Sequence, residues 1–66
     1  MTGTLKKISF DRGFGFISGD DGVDYFFHQS ELRGGLVFKE LKEGQKVTFE
    51  AVQADKGPRA ADVTAA

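Results

Sequence analysis

An all-β fold of five short strands, closed into a barrel or stacked as a sandwich, is what this sequence predicts. Three observations carry the expectation. Turn-forming residues recur at short intervals, at Gly13, Asp20-Asp21-Gly22, Gly34-Gly35, Glu43-Gly44 and Asp55-Lys56-Gly57-Pro58. The segments between them are of strand length, and most are rich in β-branched or aromatic residues. The one stretch with room for a helix, Ser30 to Lys42, is interrupted by Gly34 and Gly35. Closure is favoured over a sandwich because it removes exposed strand edges.

Thr4 to Phe10 is the first predicted strand, contributing Leu5 to the core. In the second, Phe14 to Ser18, Ile17 is the evident core residue. Successive side chains of a strand point to opposite faces, so Phe14 and Phe16 are expected to face outward beside Arg12. In Val23 to His28, Tyr25 and Phe27 share the inner side, while Phe26 shares the other with Asp24 and His28. A turn at Ser30 to Arg33 and an exposed loop follow. In Lys46 to Gln53, Val47, Phe49 and Ala51 are expected to face the core, opposite Thr48 and Glu50. Arg59 to Thr64 is weak by propensity, since Ala60 and Ala61 bring little to pack; it is retained because Val63 and Thr64 follow a strong turn. With Leu32, Leu41 and Val63 the core list is complete.

With 66 residues the expectation is one domain, residues 1–66. A chain of that length buries only about 60% of the surface its unfolded form exposes, so aromatic side chains are scarce resources. There is no cysteine, so neither disulfides nor thiolate metal sites are available, a composition suited to a reducing cytoplasm. No apolar run approaches the length that spans a bilayer, and the N-terminus lacks the apolar stretch of a secretory signal. A monomeric cytoplasmic protein without membrane contact is expected.

The sequence reads as neither an enzyme nor a metalloprotein. His28 stands near Ser30 and Asp24, but there is no second histidine and no glycine-flanked serine elbow. One histidine and carboxylates scattered over turns do not make a metal site. Gly13-Phe14-Gly15 lacks the third glycine and the following helix of a phosphate loop. No cofactor is expected.

The net charge is −1, which argues against a nucleic-acid binder relying mainly on charge. The charges are segregated, however. Lys6, Lys7 and Arg12 outweigh Asp11 up to residue 16, and Asp20, Asp21, Asp24 and Glu31 follow. Asp20 and Asp21 read most simply as turn residues that would repel phosphate from their end of the hairpin.

What needs explaining is Phe14, Phe16, Phe26 and His28 together on the outer face of two strands joined by a turn. Neighbours along one face lie about 6.5–7 Å apart and paired strands about 4.8 Å apart, so these rings form one contiguous patch, the kind that marks a binding site. A bulge could bury any single phenylalanine, but burying Phe14 and Phe16 would expose Ile17. Exposed rings in a row stack on nucleobases, while neighbouring cations meet phosphates. Gly13 and Gly15 read as openings through which a ligand approaches the backbone. Duplex DNA hides its base faces, so the expected partner is single-stranded.

At this point the residues resemble a known family, the bacterial-type cold-shock domain, along nearly the whole chain. Arg12-Gly13-Phe14-Gly15-Phe16-Ile17 is similar to its first ribonucleoprotein motif, K-G-F-G-F-I. Asp24-Tyr25-Phe26-Phe27-His28 is similar to its second, which ends V-F-V-H. Further matches are Phe38-Lys39 with Leu41, Glu43 to Phe49, and Lys56-Gly57-Pro58 with Ala60-Ala61 and Val63. The resemblance implies a five-stranded antiparallel barrel of the oligonucleotide/oligosaccharide-binding (OB) type. It also implies binding of single-stranded RNA or DNA, as an RNA chaperone or a regulator of transcription or translation.

Departures from the family pattern fall on the binding face, where tryptophan is usual in place of Lys7 and phenylalanine in place of Ile8 and Gln29. At Lys7 and Gln29 stacking would be traded for a phosphate contact and a hydrogen-bonding amide. The resemblance implies that Phe10 partly compensates, and that Phe38, Lys56 and Arg59 lie near the ligand. The loop around Arg33 to Val37 is one residue longer than the family's, which bears on where Phe38 sits. The expected contact set is therefore Lys7, Phe10, Arg12, Phe14, Phe16, Phe26, His28, Gln29, Phe38, Lys56 and Arg59. A protein-interaction module using the same apolar patch is the alternative.

Overall fold

The computed structural model describes all of residues 1–66. Five strands form where turn residues leave room for them: β1 (Thr2–Ser9), β2 (Phe14–Gly19), β3 (Asp24–His28), β4 (Lys46–Ala54) and β5 (Gly57–Ala65). Two single-turn 3-10 helices, η1 (Gln29–Glu31) and η2 (Phe38–Glu40), lie in the long connection. The first corresponds to the expected turn, whereas the second falls in a stretch expected to be loop. The strands close a barrel in the order β1-β2-β3-β5-β4. A ring with an odd number of strands cannot alternate direction all the way round. Four seams are antiparallel and the fifth, β3 to β5, is parallel and short, with Phe26 paired to Arg59 and an isolated bridge from Leu32 to Val63.

The core consists of Leu5, Ile17, Tyr25, Phe27, Phe38, Leu41, Val47, Phe49, Ala60 and Val63, with Ile8, Leu32 and Leu36 packed at its margin. Fully burying a large apolar side chain contributes about 1.5–3 kcal/mol, and Leu5, Ile17, Phe27, Val47 and Val63 are each at most 1% exposed. No buried side-chain nitrogen or oxygen lacks a hydrogen-bond partner.

Two expectations about the core are corrected. Ala51 is exposed, because β1 pairs with β4 only at Lys46, Val47 and Thr48. Beyond that point β4 and β5 continue as a two-stranded ribbon, and the inner side of Ala51 has nothing to cover it. Ala60, which seemed too small to matter, is fully buried, since a barrel this narrow has places for a methyl group and nothing larger.

Two bulges explain where strict alternation fails. Leu5 faces Ile17 and Lys7 faces Phe16, so Lys6 and Lys7 together oppose one residue of β2. Both lysines are exposed, and the inward side returns at Ile8 rather than Lys7. In β5 the extra residue lies between Ala61, which faces Glu50, and Thr64, which faces Thr48. There Asp62 adopts φ 50°, a left-handed conformation that aspartate tolerates better than most residues. The inward residues Leu5 and Ile8, like Ala60 and Val63, are thus three apart instead of two.

The β2–β3 turn is held by Asp21, whose carboxylate accepts hydrogen bonds from the Tyr25 hydroxyl and from the Val23 N–H at 3.1 Å. The Tyr25 bond, followed by that of Val23, holds the Asp21 carboxyl below its usual 3.8. The same bond pushes the Tyr25 phenol up from 10.0.

Candidate nucleic-acid interface

The hairpin of β2 and β3 places Phe16 directly opposite Phe26 and Phe14 opposite His28. On its outer face the rings of Phe14, Phe16 and Phe26 form a triangle, with centroids 6.2 Å (Phe14–Phe16), 5.4 Å (Phe14–Phe26) and 5.9 Å (Phe16–Phe26) apart. All three are partly exposed. Ile17, Tyr25 and Phe27 alternate with them and are buried, so the core residues of the hairpin fix which rings stand outside. The β1 bulge brings the exposed Lys7 opposite Phe16, on the side that regular alternation from Leu5 would have denied it.

His28 continues the row and caps η1. The Ser30 N–H donates to its Nδ1 at 3.2 Å, and the Ser30 hydroxyl lies 2.9 Å from the same nitrogen. An Nδ1 occupied as acceptor leaves Nε2–H as the outward donor of the neutral ring. Gln29 lies over Gly13: a Cβ built on Gly13 would come within 2.7 Å of the Gln29 amide nitrogen, and Gly13 has φ +79°.

The glycine reading is corrected at both positions. Gly13 and Gly15 are buried and open no path for a ligand. A Cβ on Gly15 would meet the Lys7 carbonyl oxygen at 2.5 Å and the Phe27 ring at 2.8 Å, so its small size serves the packing of β2 against β1 and the core.

Phe38 also differs from expectation. It is 8% exposed and belongs to the core, with its ring 6.5 Å from that of Phe27. Phe10 is 52% exposed and rests on Phe38 at 5.6 Å. The exposed ring of this pair is therefore Phe10, and Phe38 is its support from η2. The pair is separate from the Phe14, Phe16 and Phe26 triangle.

Lys56 approaches from the β4–β5 turn and Arg59 from the start of β5. With Asp55 and Pro58 they close a groove of about 520 Å³ against Phe16 and Phe26, which joins the hairpin to β5 where the barrel has its short parallel seam. Sequence reading missed Asp55 and Pro58 as walls of this groove, although the strong turn they occupy was visible. It also missed Ser30 as the residue that orients His28. Of the nine lysines and arginines, Lys6 is paired with Asp24 at 2.8 Å and Arg33 with Asp62 at 3.4 Å. Lys7, Arg12, Lys56 and Arg59, those nearest the rings, have no ion-pair partner.

Residues 1–66 match the family profile described as the 'Cold-shock' DNA-binding domain. Cold shock protein 2 of Lactiplantibacillus plantarum is 51% identical over 61 residues, covering 92% of this chain and 91% of the relative. The cold shock-like protein CspD of Bacillus cereus is 48% identical over 64 residues, covering 97% and 96%. Among solved structures, drosophila Unr CSD456 superposes with a TM-score of 0.74 at 22% identity, over 98% of this chain and 26% of that one, a likeness of fold. No helix is long and apolar enough to cross a membrane. With its profile matched from the first residue to the last and its barrel shared, the chain belongs to the cold-shock domain family, whose members are nucleic-acid-binding proteins and not enzymes.

Proposed function

We propose that this domain binds single-stranded RNA or DNA by stacking bases on Phe14, Phe16 and Phe26. Lys7, Arg12, Lys56 and Arg59 meet phosphates, and His28, Gln29 and Phe10 extend the surface to either side. The observation that carries the reading is the triangle of partly exposed rings with centroids 5.4–6.2 Å apart, since each base stack contributes about 1–3 kcal/mol without any need for a basic protein. Bases held on these rings are withheld from pairing, which is what an RNA chaperone or a regulator acting through RNA structure requires. On this reading the domain works as a monomer in the cytoplasm.

Fluorescence anisotropy with a labelled heptathymidylate tests it. Binding should saturate and weaken modestly with salt, because four cations at about 0.7 each give a log–log slope no steeper than about 3. A slope steeper than about 4 would overturn the stacking account. A flat titration would turn the patch over to a protein partner.

A further inference from the structure

Two grooves flank the Phe16 ring, and their chemistry differs. The one against the β4–β5 turn presents mostly apolar surface, from Phe16, Phe26 and Pro58, although Asp55, Lys56 and Arg59 also border it. The other, about 390 Å³, is bounded by the Phe14 and Phe16 rings and by Lys7, Ser9, Asp11 and Arg12. All three of its charged side chains are exposed, and none pairs with another: the two ion pairs of the molecule are Lys6–Asp24 and Arg33–Asp62. The one side-chain hydrogen bond to Asp11 is a long one, 3.5 Å from the Ser9 hydroxyl. One groove beside two stacking rings therefore holds a free carboxylate acceptor and two free cationic donors.

A phosphodiester offers acceptors alone. It would engage Lys7 and Arg12 and be repelled by Asp11. A base edge with both donors and acceptors uses the whole set. Among the four bases guanine alone presents two adjacent donors, N1–H and the N2 amino group, suited to a carboxylate, together with two adjacent acceptors, O6 and N7, suited to arginine or lysine. Building on the single-strand reading above, we propose that this groove is a guanine site: the base stacks against Phe14 or Phe16, Asp11 accepts from N1–H and N2–H, and one of Arg12 and Lys7 donates to O6 and N7 while the other keeps its phosphate. Asp11 is then the residue that sets base preference on this side of the platform.

Competition anisotropy with heptathymidylates carrying one guanine, adenine or inosine at each position in turn tests the proposal. At one position guanine should compete about tenfold better than adenine or thymine, the scale of one good bidentate contact. Inosine, which lacks the N2 amino group, should lose part of that advantage. This arm needs no change to the protein. In Asp11→Ala, shown folded by circular dichroism, the guanine-to-adenine ratio should fall to what the O6 and N7 contact alone supplies, and guanine and inosine should compete alike. Equal affinity for guanine and adenine at every position overturns the proposal, as does a guanine preference that Asp11→Ala leaves undiminished. If the plain heptathymidylate binds and guanine brings nothing, the guanine site alone fails; if neither binds, the single-strand reading fails with it.

Discussion

Phe16 and Phe49 are the same side chain put to opposite uses, one on the outer face opposite Phe26, the other 4% exposed with its ring 5.0 Å from that of Tyr25. Phe16→Ala should weaken oligothymidine binding by about 1–3 kcal/mol and leave folding nearly intact. Phe49→Ala should cost about 3–5 kcal/mol of stability, comparable with all that a domain of this size has to lose. Thermal unfolding and anisotropy on both variants check this, and unfolding caused by Phe16→Ala alone would show that the faces are reversed. At this scale the sequence was most readable where period two applies: once Ile17 is inside, Phe14 and Phe16 are outside. It was unreadable at Phe38, which sits in a 3-10 turn with no alternation to give its direction, and at Ala60, whose worth depends on how narrow the barrel is.

The β2–β3 hairpin carries its own pH dependence through the bond between Asp21 and Tyr25. A carboxyl whose pKa is lowered on folding contributes stability above its usual 3.8, and that contribution is lost as pH falls through the lowered value. The phenol, raised on folding, contributes below 10.0 and loses its contribution as pH rises through the raised value. Asp21→Asn should therefore be less stable than the parent near neutrality, and the gap should narrow as pH drops toward 2. Urea denaturation at several pH values measures it, and a gap that stays constant would mean the carboxylate charge is immaterial to the turn. The five strands were legible because glycine, aspartate and proline punctuate them. The bulges in β1 and β5 were not, since a period of two by itself gives no sign of an inserted residue. Their signature is present in retrospect, as two exposed lysines between Leu5 and Ile8, and as Asp62 between Ala60 and Val63.

Taken whole, the barrel is fastened unevenly. The β1–β2 and β4–β5 seams run through six and seven paired residues, whereas β3 and β5 meet at the single pair of Phe26 with Arg59. Amides along the β3–β5 seam should exchange with solvent sooner than those between β1 and β2, and oligothymidine should slow them most, because the groove joining Phe16 and Phe26 to Lys56 and Arg59 straddles that seam. Hydrogen exchange followed by NMR reads this residue by residue; uniform protection around the ring would refute it. A hoop of five staves laid head to tail must somewhere set two side by side in the same sense, and under load a hoop parts at its thinnest joint. Here that joint lies beneath the proposed ligand groove, so a strand bound across it acts as a clasp. Pulling the barrel apart and pulling the nucleic acid off would then become one mechanical event.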